Sequence, residues 1–196
     1  MLTINVRTNA KEVMRGLEQR LQRQIPFAIA KGLTATAKDV QRELTTEMSK
    51  DFDRPTPFTQ RAIGIAIARK DTLTARVFIK DIQLAYLGIQ VDGGTRLPKR
   101  RALTLPTDIP LNQYGNIPRR KLQQLLARRD VFSGRVRGVG GIWQRTRKGL
   151  KLLVAYQPRA QYRQRFPFYA VAQRTVERVF VPNLRAALDA AIASAR

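Results

Sequence analysis

The chain contains no cysteine and no histidine. Without cysteine there is no disulfide framework, no thiolate metal site and no thiol nucleophile, a pattern that suits a reducing compartment. Without histidine the chain lacks the side chain used most often as general base and as metal ligand. The two absences together exclude the usual structural zinc sites and most triad or dyad catalysts. Acidic residues are also scarce: 14 Asp and Glu stand against 37 Lys and Arg, a formal charge of +23. No window reaches the roughly 18 apolar residues of a membrane span. The opening MLTINVRTNAKEV has no basic region leading into an apolar stretch. A soluble protein without a signal peptide is therefore expected, with no membrane partner.

What the chain does have is enough apolar material for a core, 43% over 196 residues. That fits one domain of ordinary size, or a core with a large insertion. Residues 2–7 alternate, with Leu2, Ile4 and Val6 on one side, as in a short strand. Asn9 caps a helix to about Arg23, with Val13, Leu17 and Leu21 in one stripe. Pro26 suits the first position of a second helix, to about residue 50, whose inner face is Leu33, Ala37, Val40, Leu44 and Met48. Its outer face carries Asp39, Glu43 and Glu47.

DFDRPTP (51–57) breaks that helix, and Thr56-Pro57 reads as a cap and first position of a helical turn. Ile63, Ile65 and Ile67, then Leu73, Ala75, Val77 and Ile79, form a hairpin joined at Lys70-Asp71-Thr72. Residues 82–95 suggest a short helix or extended piece ending in the turn Asp92-Gly93-Gly94-Thr95. From 96 to 138 the pattern is broken by Pro98, Pro106, Pro110 and Pro118. ALTLP (102–106) suits a strand, and 118–130 a short helix with Leu122, Leu125 and Leu126 inward. A second hairpin follows, IWQRT (142–146) and LKLLVAY (150–156), turning at Arg147-Lys148-Gly149. The last 30 residues read as a helix with Val171, Val176, Val179, Leu184, Leu188 and Ile192 on one face, kinked or divided at Pro182. The fold expected is α+β: an antiparallel sheet built from hairpins, flanked by two N-terminal helices and a long C-terminal helix. It is expected as a single domain over 1–196, with 96–138 leaving the core as a basic loop or arm.

The charge is uneven. Residues 96–174 hold 19 basic and 2 acidic residues, a net +17, against +5 for residues 1–95 and +1 for 175–196. The clusters are Arg96, Lys99, Arg100 and Arg101; Arg119, Arg120 and Lys121; Arg128 and Arg129; Arg135 and Arg137; and Arg145, Arg147 and Lys148, with Lys151 beside them. These are the candidate residues for contact with DNA or a protein partner. Arginine dominates, and its planar fork suits bidentate contact with phosphate or carboxylate. Tyr114, Phe132, Trp143, Tyr156 and Tyr162 are interleaved, and Arg with aromatics is also the composition of protein–protein hot spots. A solvated basic face with no dedicated partner is the plain reading, and nucleic acid and acidic protein surfaces both remain open as partners. No helix-turn-helix, zinc finger or RNP-type signature appears, so sequence-specific readout is not expected.

No catalytic constellation emerges, and no cofactor or metal is expected. A nuclease needs clustered carboxylates for metal ions. The one close pair, Asp51 and Asp53, sits at a helix exit and reads as turn chemistry. Asp39, Glu43 and Glu47 lie among Lys38, Arg42 and Lys50, as on a salt-bridged helix face. Gly138-Val139-Gly140-Gly141 precedes a strand rather than a helix and is not followed by Gly-Lys-Ser/Thr, so it is no phosphate loop. A non-enzymatic protein is expected, and an enzyme acting on an acidic polymer ranks last.

Several segments resemble the phage minor tail protein Z family and the wider group of tail-completion proteins of long-tailed bacteriophages. They are QIPFAIAKGLTATAKDVQREL (24–44), PTPFTQRAI (55–63), GIWQRTRKGLKLLVAYQPRAQYRQRFPF (141–168) and AVAQRTVERVFVPNLRAALDAAI (170–192). AYLGIQVDGGT (85–95) is similar to a Tyr–acidic–Gly-Thr stretch of the broader group, with Asp92 at the acidic position and one extra glycine. The resemblance implies a structural virion protein of the tail or neck, assembled in the host cytoplasm. It implies an α+β subunit in a homo-oligomeric ring, a hexamer, at the head-proximal end of the tail. Such a ring would meet the tail terminator or tail tube protein on one side and the head–tail connector on the other. Its basic residues would make non-specific contact with genomic DNA. The alternative function is a sequence-independent nucleic-acid-binding protein.

Overall fold

The computed structural model describes residues 2–7, 19–99 and 101–194. In chain order the elements are β1 (Thr3–Arg7), α1 (Gln19–Asp51), α2 (Pro57–Gln60), β2 (Ile63–Ala66), β3 (Thr74–Ile79), α3 (Asp81–Asp92), β4 (Gly94–Arg96), β5 (Leu103–Pro106), α4 (Lys121–Leu126), β6 (Val131–Val136), β7 (Val139–Thr146), β8 (Gly149–Gln157), β9 (Ala160–Tyr162) and α5 (Phe168–Ser194). The α+β class stands. The chain divides into two compact units, Met1–Val91 with Arg165–Arg196, and Asp92–Gln164.

In the first unit, β1, β3 and β2 form an antiparallel sheet in that order, Ile4 opposite Val77 and Ile65 opposite Val77 on the other side. The stripe Leu33, Ala37, Val40, Leu44 and Met48 is fully buried. Its spacing keeps one face of α1 apolar over more than four turns, and that face supplies the centre of the core. Each buried leucine contributes about 1.5–3 kcal/mol by transfer from water. Thr59 donates its backbone N–H to the Thr56 hydroxyl at 3.1 Å, so Thr56 caps α2 as its sequence implies. The hairpin of β2 and β3 is present, but its connection is longer than Lys70-Asp71-Thr72: Ile67 leaves the strand and is 58% exposed.

Two expectations about helices change. Pro26 does not begin a helix; α1 starts by Gln19 and runs through it. The continuous apolar packing downstream outweighs the one hydrogen bond that proline removes. The cap at Asn9 and the stripe residues Val13 and Leu17 fall outside the described residues. Pro182 does not divide the terminal helix either, since α5 is one element of 27 residues. Proline leaves the Arg178 carbonyl without its helical donor. Beside it, α5 is fastened to α1: Asn183 Nδ2 donates to Asp39 Oδ2 at 2.8 Å, and the Arg178 guanidinium reaches Glu43 at 3.5 Å. The helices approach closely there, for a Cβ on Gly32 would lie 2.9 Å from the Leu184 Cα.

The chain re-enters this unit through its aromatic core. The backbone N–H groups of Arg165 and Phe166 donate to the Gln90 carbonyl at 2.8 and 2.9 Å. Phe166 and Phe168 are fully buried, and Phe166 packs on Phe52 with ring centroids 5.9 Å apart.

The second unit replaces the loop expected at 96–138. Residues of that stretch supply β5, α4 and β6, and β5, β8, β7 and β6 form a four-stranded antiparallel sheet in that order. The entering strand β4 and the leaving strand β9 pair with each other as a two-stranded ribbon. The boundary between the two units lies at Asp92-Gly93, where Gly93 and Gly94 take φ of 72° and 112°. The pattern of 96–138 is poor because β5 and β6 are edge strands of four and six residues. One ends in Pro106 and the other is interrupted by Gly134. Both rely on β7 and β8, whose alternation is clearer. Hairpin β6–β7 turns at Arg137-Gly138, both with positive φ (49° and 84°), as a type I′ turn requires. Within α4, Leu125 is buried, but Leu126, expected inward, is 45% exposed.

Candidate interaction surface of the basic unit

Residues 92–164 carry 17 basic and 3 acidic residues, a net +14, and the remaining 123 residues carry +9. Two of the three acids are already occupied. Asp108 pairs with Lys151 at 2.5 Å, and Asp130 takes Arg128 Nη2 at 2.6 Å. Among the described residues of this unit, the other cations have no carboxylate within ion-pair distance.

Asp130 organises the junction of α4 with the sheet, and sequence reasoning missed it. Its carboxylate accepts from Arg128 Nε at 3.0 Å and from Gln144 Nε2 at 2.8 Å, while its carbonyl accepts from the Arg145 backbone at 2.7 Å. Hydrogen bonds from Arg128 and then Gln144 hold its pKa down at about 2. The spacing Arg128-Arg129-Asp130 was visible, but Gln144 lies on another strand and no local signal announces it.

The strand register sorts the remaining side chains. Val131, Ile142 and Val154 share one face, pack with Leu125 and Leu153, and make the unit's small core. The hydroxyls of Ser133 and Tyr156 meet on that face at 2.9 Å. On the opposite face Phe132 pairs with Trp143 and Trp143 with Leu152. Arg145 and Leu150 follow as the next pair along, and Leu105 lies on β5. None of these belongs to the buried core. The Arg145 guanidinium sits 4.5 Å from the centre of the Phe132 ring, a cation–π contact. Gly141 allows the sheet to close beneath this face: a Cβ there would lie 2.3 Å from the Val154 carbonyl oxygen and 2.6 Å from Leu152 Cδ1.

The candidate contact residues all belong to this unit, yet they do not converge. Arg96 is exposed on β4, and Lys99 and Arg101 are exposed in the connection to β5. Arg100 lies outside the described residues. Arg119 and Arg120 precede α4, exposed, and Lys121 begins it, half-buried. Arg128 is committed to Asp130, and its neighbour Arg129 is exposed. Arg135 and Arg145 point to opposite faces of the sheet, by register. Arg137 occupies the β6–β7 turn at one end of β7, and Arg147 and Lys148 the β7–β8 turn at the other. The result is a unit coated with cations rather than one basic cleft.

In the first unit the acidic residues are engaged differently. Asp39 pairs with Arg42 and Glu47 with Lys50, each at 3.2 Å, as expected of a salt-bridged helix face. Asp53 pairs with Arg54 at 3.1 Å. Asp51 ends α1 with Oδ2 buried and without a hydrogen-bond partner among the described residues; burial, then Glu47, raises its pKa. Among the described residues no three acidic side chains come together as a metal site would need. A groove of about 430 Å³ beside α1 is floored by Ala30, Ala35 and Ala68 and edged by Lys31, Lys38 and Arg69.

No family model, no curated protein and no solved structure matches the chain.

Proposed function

We propose that the chain is a non-enzymatic structural protein of a tailed-phage virion, a minor tail or tail-completion subunit. In this reading it forms a ring at the head-proximal end of the tail and joins the tail to the connector around the DNA path. It would be assembled in the host cytoplasm and reside in the tail or neck. The observation that carries it is the division of labour along the chain. Of the segments resembling tail-completion proteins, four fall mainly on α1, α2–β2, α3 and α5 of one apolar-cored unit, and the longest, 141–168, runs mainly along β7, β8 and β9 of the other. The cations concentrate in the other unit, a net +14 on exposed turns and strands. Subunits of a ring meet through heterologous interfaces that close on rotation, which a two-unit chain can supply. Arginines spread over turns and both sheet faces suit contact with phosphates without base readout.

The spread of unpaired cations also favours the second reading, a sequence-independent nucleic-acid-binding protein. The readings separate by a mobility-shift titration of the free chain on duplex DNA at several salt concentrations. A ring subunit should show little affinity for unconfined DNA. Tight binding that weakens steeply with salt would instead favour the second reading. Genes for capsid, connector and tail tube around this reading frame would support the assembly role, and their absence would sink it. Charge reversal at Arg119, Arg120 and Lys121, compared with reversal at Arg145, Arg147 and Lys148, should impair tail joining in at least one set.

A further inference from the structure

We infer that the face of the four-stranded sheet bearing Phe132, Trp143 and Leu152 is a docking surface for an acidic protein segment with apolar side chains along one side. This deepens the assembly reading and rests on it, for it names the chemistry of one partner. Four observations lead there.

The first is that the face is apolar and lies outside the unit's core. Leu150 and Leu105 are 46% and 45% exposed, and Phe132, Trp143 and Leu152 are half-buried. Isolated apolar side chains on a surface need no explanation, but a contiguous set across several strands marks an interaction site. The second is composition. Leucines outnumber aromatics on this face, and one side of the Phe132 ring is already covered by Arg145. A platform for single-stranded nucleic acid needs open rings for base stacking, whereas a tryptophan and an arginine set among exposed leucines offer the anchor residues of a protein hot spot with an apolar surround.

The third is charge. Arg145 lies on the face, and Arg137, Arg147 and Lys148 stand at the turns that end β7. None of them has a carboxylate within ion-pair distance among the described residues. A second copy of this unit would bring another +14 to the contact, so like-charge repulsion disfavours self-pairing here. A segment with carboxylates flanking its apolar residues satisfies both features at once. The fourth is geometry. β7 and β8 approach closely at Gly141, where a Cβ would meet Leu152 and the Val154 carbonyl, and a register shift between Ile142 and Trp143 brings Trp143 opposite Leu152 on this face.

Trp143 is the chain's one tryptophan, so its fluorescence reports occupancy of this face directly. The test titrates the full-length chain with three probes: a synthetic peptide alternating Glu and Leu, a peptide of the same charge alternating Glu and Ser, and an oligothymidylate. The Glu/Leu peptide should shift Trp143 emission saturably. Leu150→Ser, Leu105→Ser and Arg145→Glu should each weaken that binding about tenfold or more. The two leucines are exposed enough that the serine variants should keep the wild-type circular dichroism. The Glu/Ser peptide should leave emission unchanged. Three results would overturn the inference: no saturable shift with the Glu/Leu peptide, equal binding of the Glu/Ser peptide, or an oligothymidylate shift abolished by the same variants. Because the titration involves no virion component, its failure would leave the assembly reading standing. A contrary gene neighbourhood would remove that reading while leaving the measured peptide affinity intact.

Discussion

Among the described residues, the first unit gathers twenty buried apolar side chains into one cluster, and the second gathers five, Leu125, Val131, Ile142, Leu153 and Val154. Their charges run the other way, +9 over 123 residues against +14 over 73. A domain as small as the second buries a smaller fraction of its surface and stands closer to marginal stability, and self-repulsion lowers it further. The comparison teaches where each unit's stability originates. The first holds itself together by apolar burial along α1 and α5. The second depends on ladder hydrogen bonds, two tight turns and the Asp130 junction, and it gains most from any partner that neutralises its surface.

The largest expected effect breaks the first unit's side of that comparison. Leu44→Ala removes a fully buried side chain from the central stripe of α1. It should cost about 2–5 kcal/mol in chemical denaturation followed by far-ultraviolet circular dichroism, which reads the long helices. A loss under about 1 kcal/mol would mean that the stripe is not the unit's main support. Next is Gly141→Ala. Its Cβ would meet the Val154 carbonyl oxygen at 2.3 Å, a backbone atom that cannot swing aside. A cost of about 1–3 kcal/mol is expected from such overpacking, seen in the Trp143 emission transition. The helix transition should stay in place. If both transitions move together, the two units do not unfold independently.

A smaller effect is expected where the helices cross. Asn183→Ala removes the 2.8 Å hydrogen bond to Asp39, next to the turn that Pro182 already weakens. A hydrogen bond to a charged acceptor contributes about 1.5–3 kcal/mol, and partial exposure of Asp39 places the loss at the low end. Asn183→Asp should cost more than Asn183→Ala, because it sets two carboxylates against each other. An aspartate variant as stable as wild type would show that the contact does not fasten α5 to α1.

How much of this was legible in the sequence also divides by unit. Where an element buries a wide, regular stripe, the period alone reveals it: Leu33 to Met48 on α1, Ala75 to Ile79 on β3, and Val171, Val176, Leu184 and Leu188 on α5, although Ile192, expected on the same face, is 48% exposed. The Thr56 cap was readable because its partner, the Thr59 N–H, lies three residues away. Pro26 and Pro182 misled because local propensity was read without the packing that overrides it. In the second unit β6 was not legible, since VFSGRV has no clean alternation and its inward residues are defined by pairing with β7. The candidate cations were countable, but their dispersal over both faces and both ends of β7 follows from register, which composition does not carry. The face of Phe132, Trp143 and Leu152 was invisible for the same reason: its members come from three strands.

The finest contrast between the units is in their response to acid, where two aspartates act with opposite sign. Asp130 has its pKa lowered from an ordinary 3.8 to about 2, by Arg128 first and Gln144 second. The stabilisation it gives is therefore complete above 3.8 and lost as pH falls from there toward 2. Asp51 has its pKa raised above 3.8, by burial first and Glu47 second. The folded first unit holds that proton more tightly than the unfolded chain does. Its contribution is thus most favourable below 3.8 and is lost as pH rises through the raised value. Other carboxylates and the growing positive charge act on every variant alike, so the useful quantity is the difference between each variant and wild type. Asp130→Asn should lose stability in the Trp143 transition near neutral pH, with the gap closing toward pH 2. Asp51→Asn should gain stability in the helix transition near neutral pH, with that gain vanishing in acid. Thermal melts at a series of pH values, read by both signals, test the pair together. Gaps of the same sign in the two transitions would remove the claim that one unit is tied down by a paired surface carboxylate while the other tolerates a partly buried one.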